Sequence, residues 1–137
     1  PLLGLVRFHL VHNTGAAWGM FGDSTFLLGV MSLIVCVLLT VYLFFLAYRP
    51  NIVQVVGAAL VVAGGLGNAF DRFALGHVVD FIEPVFIDFP VFNVADIGVT
   101  CGFVLFLVGV IVSWRHEDRL SAELAASDGE GEGTDAR

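Results

Sequence analysis

Two aspartates, Asp80 and Asp96, are the residues of this 137-residue chain best suited to acid–base chemistry on a water molecule. Asp80 sits in Val78-Val79-Asp80-Phe81-Ile82, an apolar setting with no adjacent cation. Burial of a carboxyl among such neighbours favours its protonated form. Asp96 ends Asn93-Val94-Ala95-Asp96, a sequence that reads as a helix start with Asn93 as N-cap. A carboxylate in a first helical turn is stabilised as the anion by the helix dipole. Two carboxyls whose surroundings favour opposite protonation states can work together on one water. The charged one takes a proton from the water, and the protonated one supports the carbonyl oxygen under attack. Spacing along the chain does not by itself bring the two within reach.

Other polar side chains crowd the same region: Asn68, Asp71, Arg72 and Asn93, with Asn13 on a turn near the start of the chain. Asp71-Arg72 has two readings, as part of a site or as a charged pair anchoring a helix end at lipid headgroups. No Ser or Cys lies between Asn68 and Asp96, so an acyl-enzyme nucleophile has no candidate there. His9 and His12 are three apart, which places them on opposite faces of a strand, and no histidine converges with the acids at metal-ligand spacing. Cys36 and Cys101 fall inside apolar runs and read as small buried hydrophobes rather than a disulfide or metal pair. Asp23, Glu83, Asp88 and the acids of the tail read as solvated or interfacial charges. No metal or other cofactor is expected.

The elements that must position these residues are set by hydrophobicity. Apolar residues make up 58% of the chain, against roughly 45–50% in soluble domains. The excess is gathered into runs without a charge: Phe26 to Tyr48, Ile52 to Phe70 and Ile97 to Trp114. About 20 apolar residues in a helix cross the hydrocarbon core of a bilayer, and none of the runs shows the polar stripe of a soluble core helix. The expected fold is therefore an all-α membrane protein, a small bundle with three spans. The spans are expected from about Ser24 to Tyr48, from Ile52 onward, and from about Asp96 to Trp114. Ala59, Ala63 and Gly67, and likewise Gly98 and Gly102, are spaced four apart and predict close helix contacts. A strand-rich outer element is expected near residues 5–20, because Val6, Phe8 and Leu10 alternate with Arg7 and His9 before the Asn13-Thr14-Gly15 turn. Asn68 to Asp96 reads as a long connection in which Pro84 and Pro90 argue against helix.

The formal charge of −7 divides into −4 over residues 115–137 and −3 over the rest, with no Lys and no basic patch for nucleic acid. Residues 116–137 read as an acidic tail, disordered beyond a short helical extension. Arg49, Arg115, Arg119 and Arg137 fall on one side of the three spans and Arg7 and Arg72 on the other, which predicts that the first side is cytoplasmic. Pro1 to Val11 lacks the charged start and apolar segment of a signal peptide.

Four blocks carry a family resemblance. Asn13-Thr14-Gly15-Ala16-Ala17-Trp18 resembles N-x-G-A-A-[FW], and Gly64-Gly65-Leu66-Gly67-Asn68-Ala69-Phe70-Asp71-Arg72 resembles G-G-x-x-G-N-x-x-D-R. Gly76-His77-Val78-Val79-Asp80-Phe81 is similar to V-x-D-F, and Pro90-Val91-Phe92-Asn93-Val94-Ala95-Asp96 to P-x-F-N-x-A-D. Together, in order, these resemble the bacterial lipoprotein signal peptidases (signal peptidase II), aspartyl proteases of the membrane. The resemblance implies four spans, a small extracytoplasmic strand platform, and cleavage of prolipoproteins before a diacylglyceryl-modified Cys in the bacterial inner membrane. It implies Asp80 and Asp96 as the catalytic pair, with Asn13, Asn68, Asp71, Arg72 and Asn93 organising the site or holding the substrate. The family's first span, with its D-Q-x-x-K block, has no counterpart in residues 1–137, so the sequence reads as a protease domain over 1–115 truncated at its start.

The expected partners are lipid-modified prolipoprotein signal peptides and membrane lipid, without nucleic acid and with a monomer expected. Two rival readings need only the residues themselves. A small transporter or channel subunit would use Asp80 and Asp96 as ion or proton sites. A non-catalytic scaffold would use the polar residues to knit helix ends together.

Overall fold

A computed structural model describes residues 4–15 and 24–132. The order of elements is strand β1 (Val6–Asn13), helix α1 (Thr25–Val41) closing in a π-helical turn over Tyr42–Leu46, helix α2 (Ile52–Leu75), strand β2 (Val78–Pro84) and helix α3 (Val94–Glu132). The protein is a helical membrane protein: three helical segments, Thr25–Leu46, Ile52–Leu75 and Val94–Leu124, are long and apolar enough to span a bilayer. Large apolar side chains such as Phe26, Phe44, Val104 and Ile111 point outward, as lipid-facing helix surfaces require. The expected strand element near residues 5–20 is present as Val6–Asn13; residues 16–20, and Asp23, lie outside the described residues.

Helix α2 is the centre of the bundle and packs against both α1 and α3. Asn51 caps it: the Asn51 side chain accepts from the Gln54 backbone N–H and the Gln54 side chain accepts from the Asn51 N–H, both at 3.0 Å. The cap also reaches α3, where Asn51 Nδ2 donates to the Gly109 carbonyl at 2.7 Å. Gly76 ends the helix in the left-handed region (φ 76°), a conformation that costs glycine little. Asn68, Asp71 and Arg72 therefore lie in the last two turns of α2 and not in a connecting loop. Nothing from Asn68 to Leu75 breaks a helix, and Gly76 is the first residue that does.

The α2–α3 seam is made by glycines. A Cβ at Gly57 would collide with the Phe106 backbone, one at Gly64 with the Ala95 carbonyl, and one at Gly102 would stand 2.6 Å from the Gly57 carbonyl. Gly102 is thus in the close contact expected of it. Ala59, Ala63 and Gly67 are exposed. The buried residues of α2 are Gln54, Gly57, Ala58, Val61, Gly64, Gly65, Asn68 and Ala69, none of them in the expected stripe. Small residues occur all round this helix, so size alone did not identify the packed face.

The two strands form an antiparallel pair, with Arg7 opposite Glu83, Phe8 opposite Ile82, Val11 opposite Asp80 and Asn13 opposite Val78. Three steps on β1 match two on β2 between Phe8 and Val11, a β-bulge. The bulge decides which way the end of β1 faces. Strict alternation would put Asn13 on the face of Arg7 and His9. The extra residue turns Asn13 onto the face of Asp80 and turns His12 outward. Helix α3 runs to Glu132, beyond the short extension read for the acidic tail. Its continuation past Trp114 keeps good helix formers, with Glu117, Arg119, Leu120 and Glu123 before the Gly at 129.

Candidate active site

The site is assembled where α2 ends, α3 begins and the sheet closes over both. Asp80 comes from β2 and is 2% exposed. Asn13, across the strand pair, donates from Nδ2 to Asp80 Oδ2 at 2.9 Å. The Asn13 amide is itself oriented by the Gly15 N–H, which donates to Asn13 Oδ1 at 3.0 Å. Asp96 comes from the first turn of α3, in a reciprocal cap with Asn93. The Asp96 N–H donates to Asn93 Oδ1 at 3.1 Å, and the Asn93 N–H donates to Asp96 Oδ2 at 3.0 Å. This is the helix start anticipated from the sequence.

Two side-chain amides join the aspartates. Asn93 Nδ2 donates to Asp80 Oδ1 and to Asn68 Oδ1, each at 3.0 Å. Asn68 Nδ2 in turn donates to Asp96 Oδ1 at 2.7 Å. The result is one hydrogen-bonded chain, Asn13–Asp80–Asn93–Asn68–Asp96, in which every Asn donates toward a carboxyl. Asn93 reaches Asp80 because Phe92 is stitched to β2: Ile82 N donates to the Phe92 carbonyl at 2.8 Å and Phe92 N to the Ile82 carbonyl at 3.0 Å. The segment before it, with Pro84 and Pro90, contains no helix, as expected.

Arg72 sits beside the pair. Its Nη1 donates to the Asn68 carbonyl at 3.2 Å and its Nη2 to the Gly15 carbonyl at 3.4 Å. Its Nε is buried without a hydrogen-bond partner among the described residues. Asp71 points away and accepts from the Val79 N–H at 3.4 Å, tying β2 to α2. Of the seven anticipated residues, six are joined directly or through Asn68 around one cavity, and Asp71 braces the strand behind it. Glu83, read as a solvated or interfacial charge, is paired at the surface with Arg7, whose Nη2 lies 2.6 Å from Oε1, and with His9 at 3.0 Å. The hydrogen bonds from Arg7 hold the Glu83 carboxyl below its usual range.

Burial pushes the Asp80 carboxyl above the ordinary carboxylate range. The hydrogen bonds from Asn13 and Asn93 and the charge of Arg72 oppose the shift, while the charge of Asp96 adds to it. The net upward direction keeps a proton on Asp80 at higher pH than an exposed aspartate would.

Asp80, Asp96, Asn13 and Arg72 line a cavity of about 470 Å³ whose far wall is Phe89 to Phe92. Thr100 and Cys101, one turn along α3 from Asp96, also line it. Neither was anticipated as a site residue, although i+4 spacing from Asp96 is a signal that points to Thr100. Cys101 was expected to be buried and is exposed, because its face of α3 is turned from α2. Cys36 is buried against Gly65 as expected. A second cavity of about 320 Å³, between α1 and α3, shares Arg72 and Asp96 with the first. Thr25 links the start of α1 to this region, its hydroxyl donating to the Thr14 carbonyl at 2.6 Å.

Residues 1–112 match the family described as signal peptidase (SPase) II. A lipoprotein signal peptidase of Parasynechococcus marenigrum is 44% identical over 108 residues, 78% of this chain and 67% of that protein. One of Enterococcus faecalis is 38% identical over 109 residues, 77% of this chain and 67% of that protein. A bacterial membrane enzyme solved by the in meso method at 2.3 Å resolution superposes with a TM-score of 0.72 at 33% identity, covering 79% of this chain and 66% of that one. The chain thus spans about two thirds of the length of these relatives.

Proposed function

Because this chain belongs to the signal peptidase II family, we propose that it removes signal peptides from prolipoproteins, with Asp80 and Asp96 as an aspartyl catalytic pair. The observation that carries the reading is the pair of amides, Asn93 and Asn68, that ties a buried Asp80 to Asp96 at the wall of an apolar cavity.

In this mechanism a water lies between the two carboxyls. Asp96, in the first turn of α3, takes a proton from the water as its oxygen attacks the scissile carbonyl carbon. Asp80 gives its proton to the carbonyl oxygen, so a neutral tetrahedral species forms. Collapse returns that proton to Asp80, and Asp96 passes its own to the departing amide nitrogen. One carboxyl must begin charged and the other protonated, since two close carboxylates resist joint ionisation. The upward shift at Asp80 supports this assignment of roles. Arg72, which lines both cavities, is suited to donate to a substrate carbonyl.

The substrate side is a peptide whose residue after the cut is a diacylglyceryl-modified Cys. An apolar wall of Phe89, Pro90, Val91 and Phe92 beside the aspartates is compatible with a lipid-bearing residue. Purified protein in mixed micelles is expected to cut lipidated prolipoprotein before the modified Cys and to leave the unlipidated precursor intact. Equal cleavage of both would refute the lipid requirement. The Arg distribution supports a site on the outer side of the bacterial inner membrane and a cytoplasmic tail. Labelling of an Asn51→Cys variant by an impermeant thiol reagent outside intact cells would reverse that orientation.

A further inference from the structure

We propose that His12 and His77 form a surface binding site for a divalent transition cation such as Zn2+, separate from the aspartate pair. Alternation along β1 predicts opposite faces for His9 and His12, but the β-bulge leaves both on the outer face of the strand pair, at its two ends. His9 joins Glu83 and Arg7 at one end of the strand pair. His12, turned outward by the β-bulge, meets His77 at the other end, with ring centroids 4.3 Å apart and planes inclined by 30°. His12 lies opposite Val79, so His77, two residues earlier, is its diagonal neighbour on the same outer face.

Neither ring has a hydrogen-bond partner among the described residues, and His12 is exposed while His77 is half-buried. Both imidazoles therefore keep ring nitrogens that no protein group occupies. Imidazole nitrogen is a preferred ligand of Zn2+ and Ni2+ and a poor one for Mg2+ or Ca2+. With metal–nitrogen bonds of about 2.0–2.1 Å and a tetrahedral angle, two ligating rings have centroids about 5 Å apart. The observed pair reaches that separation by opening less than about an ångström, a change within side-chain torsions. No third His, Cys, Asp or Glu completes a cluster among the described residues, so water fills the remaining positions. Such a site binds more weakly than a closed four-ligand site. A bound ion would cross-link β1 to β2 directly behind the Asn13–Asp80 hydrogen bond.

The test is calorimetric titration of the tag-free protein in detergent micelles with ZnCl2, alongside His12→Gln, His77→Gln and His9→Gln variants. Wild type and His9→Gln are expected to bind one Zn2+ with the same affinity. His12→Gln and His77→Gln should each bind on the order of tenfold more weakly or not at all. Thermal unfolding checks that the variants fold: all four midpoints should agree without metal, and Zn2+ should raise only those of wild type and His9→Gln. Absence of saturable binding in wild type, affinity unchanged in His12→Gln or His77→Gln, or an equal loss in His9→Gln would overturn the site. Because the readout is binding, its failure would leave the peptidase reading untouched.

Discussion

Replacing Asp80 or Asp96 with Asn is expected to slow cleavage by on the order of 10²- to 10⁴-fold or more, the range that a positioned acid or base contributes. Neither substitution should unfold the protein, but neither is silent in the amide chain. Both Asp80 oxygens accept from Asn side chains, so an amide at 80 sets an NH2 group against one of those donors. At position 96 the new amide keeps one bond, from the Asn93 N–H. It keeps the other only if Asn68 turns over and gives up its bond from Asn93. Stability should also separate the two variants. The folded Asp80 carboxyl has a raised pKa, whereas the unfolded one titrates near 3.9. The stability tied to protonated Asp80 is fully present below that unfolded value and is lost as pH rises through the folded one. Asp80→Asn stays neutral throughout. Wild type should therefore lose thermal stability relative to Asp80→Asn over the window that starts near pH 4 and ends above the raised value. A stability difference constant across that window, or cleavage at wild-type rate in either variant, would contradict the assignment.

The second large effect is expected from Asn93→Ala, which removes a residue that touches no substrate in this mechanism. Its side chain caps α3 and bridges the two aspartates. Loss of the cap alone costs about 0.5–2 kcal/mol. Asp80 Oδ1 and Asn68 Oδ1 also lose their donor in a buried setting, and an unsatisfied buried group costs about 1–3 kcal/mol. Freed from the bridge, the carboxyls would no longer be held at a fixed separation. Displacement of catalytic groups by about 1 Å can cost on the order of 10²-fold in rate. The expected result is a lower unfolding midpoint together with a rate loss of that order, measured on lipidated prolipoprotein in the same micelles. A stable variant with full activity would show that the amide bridge does not position the pair.

Much of this arrangement is legible in the residues. The uncharged runs required membrane helices because a bilayer core leaves no alternative for backbone polar groups. Asn93 and Asp96 announced a helix start because capping is local chemistry, and the cap is found as read. Three things were not legible, each for a non-local reason. Val78–Pro84 is a strand because β1 lies beside it, and its own sequence, apolar on both sides of Asp80, does not choose between strand and loop. The bulge that aims Asn13 at Asp80 depends on register against a partner some 70 residues away, so alternation along β1 alone gave the wrong face for the strand's end. The packed stripe of α2 was misplaced because Ala59, Ala63 and Gly67 are as small as Gly57 and Gly64, and only α3 selects between them. Asp71, expected to organise the site or hold the substrate, accepts from the Val79 N–H and so ties the strand that carries Asp80 to α2.

The central claim is that Asp80 and Asp96 act as one unit on one water, and the double variant Asp80→Asn/Asp96→Asn tests it most directly. Single-turnover cleavage of lipidated prolipoprotein should be measured for wild type, both single variants and the double variant under identical conditions. Groups that act as a unit give strongly non-additive losses. The account therefore predicts that the double variant is about as slow as the slower single variant. Losses that multiply would mean that the two aspartates act independently, and turnover at the wild-type rate in the double variant would mean that neither carries the reaction.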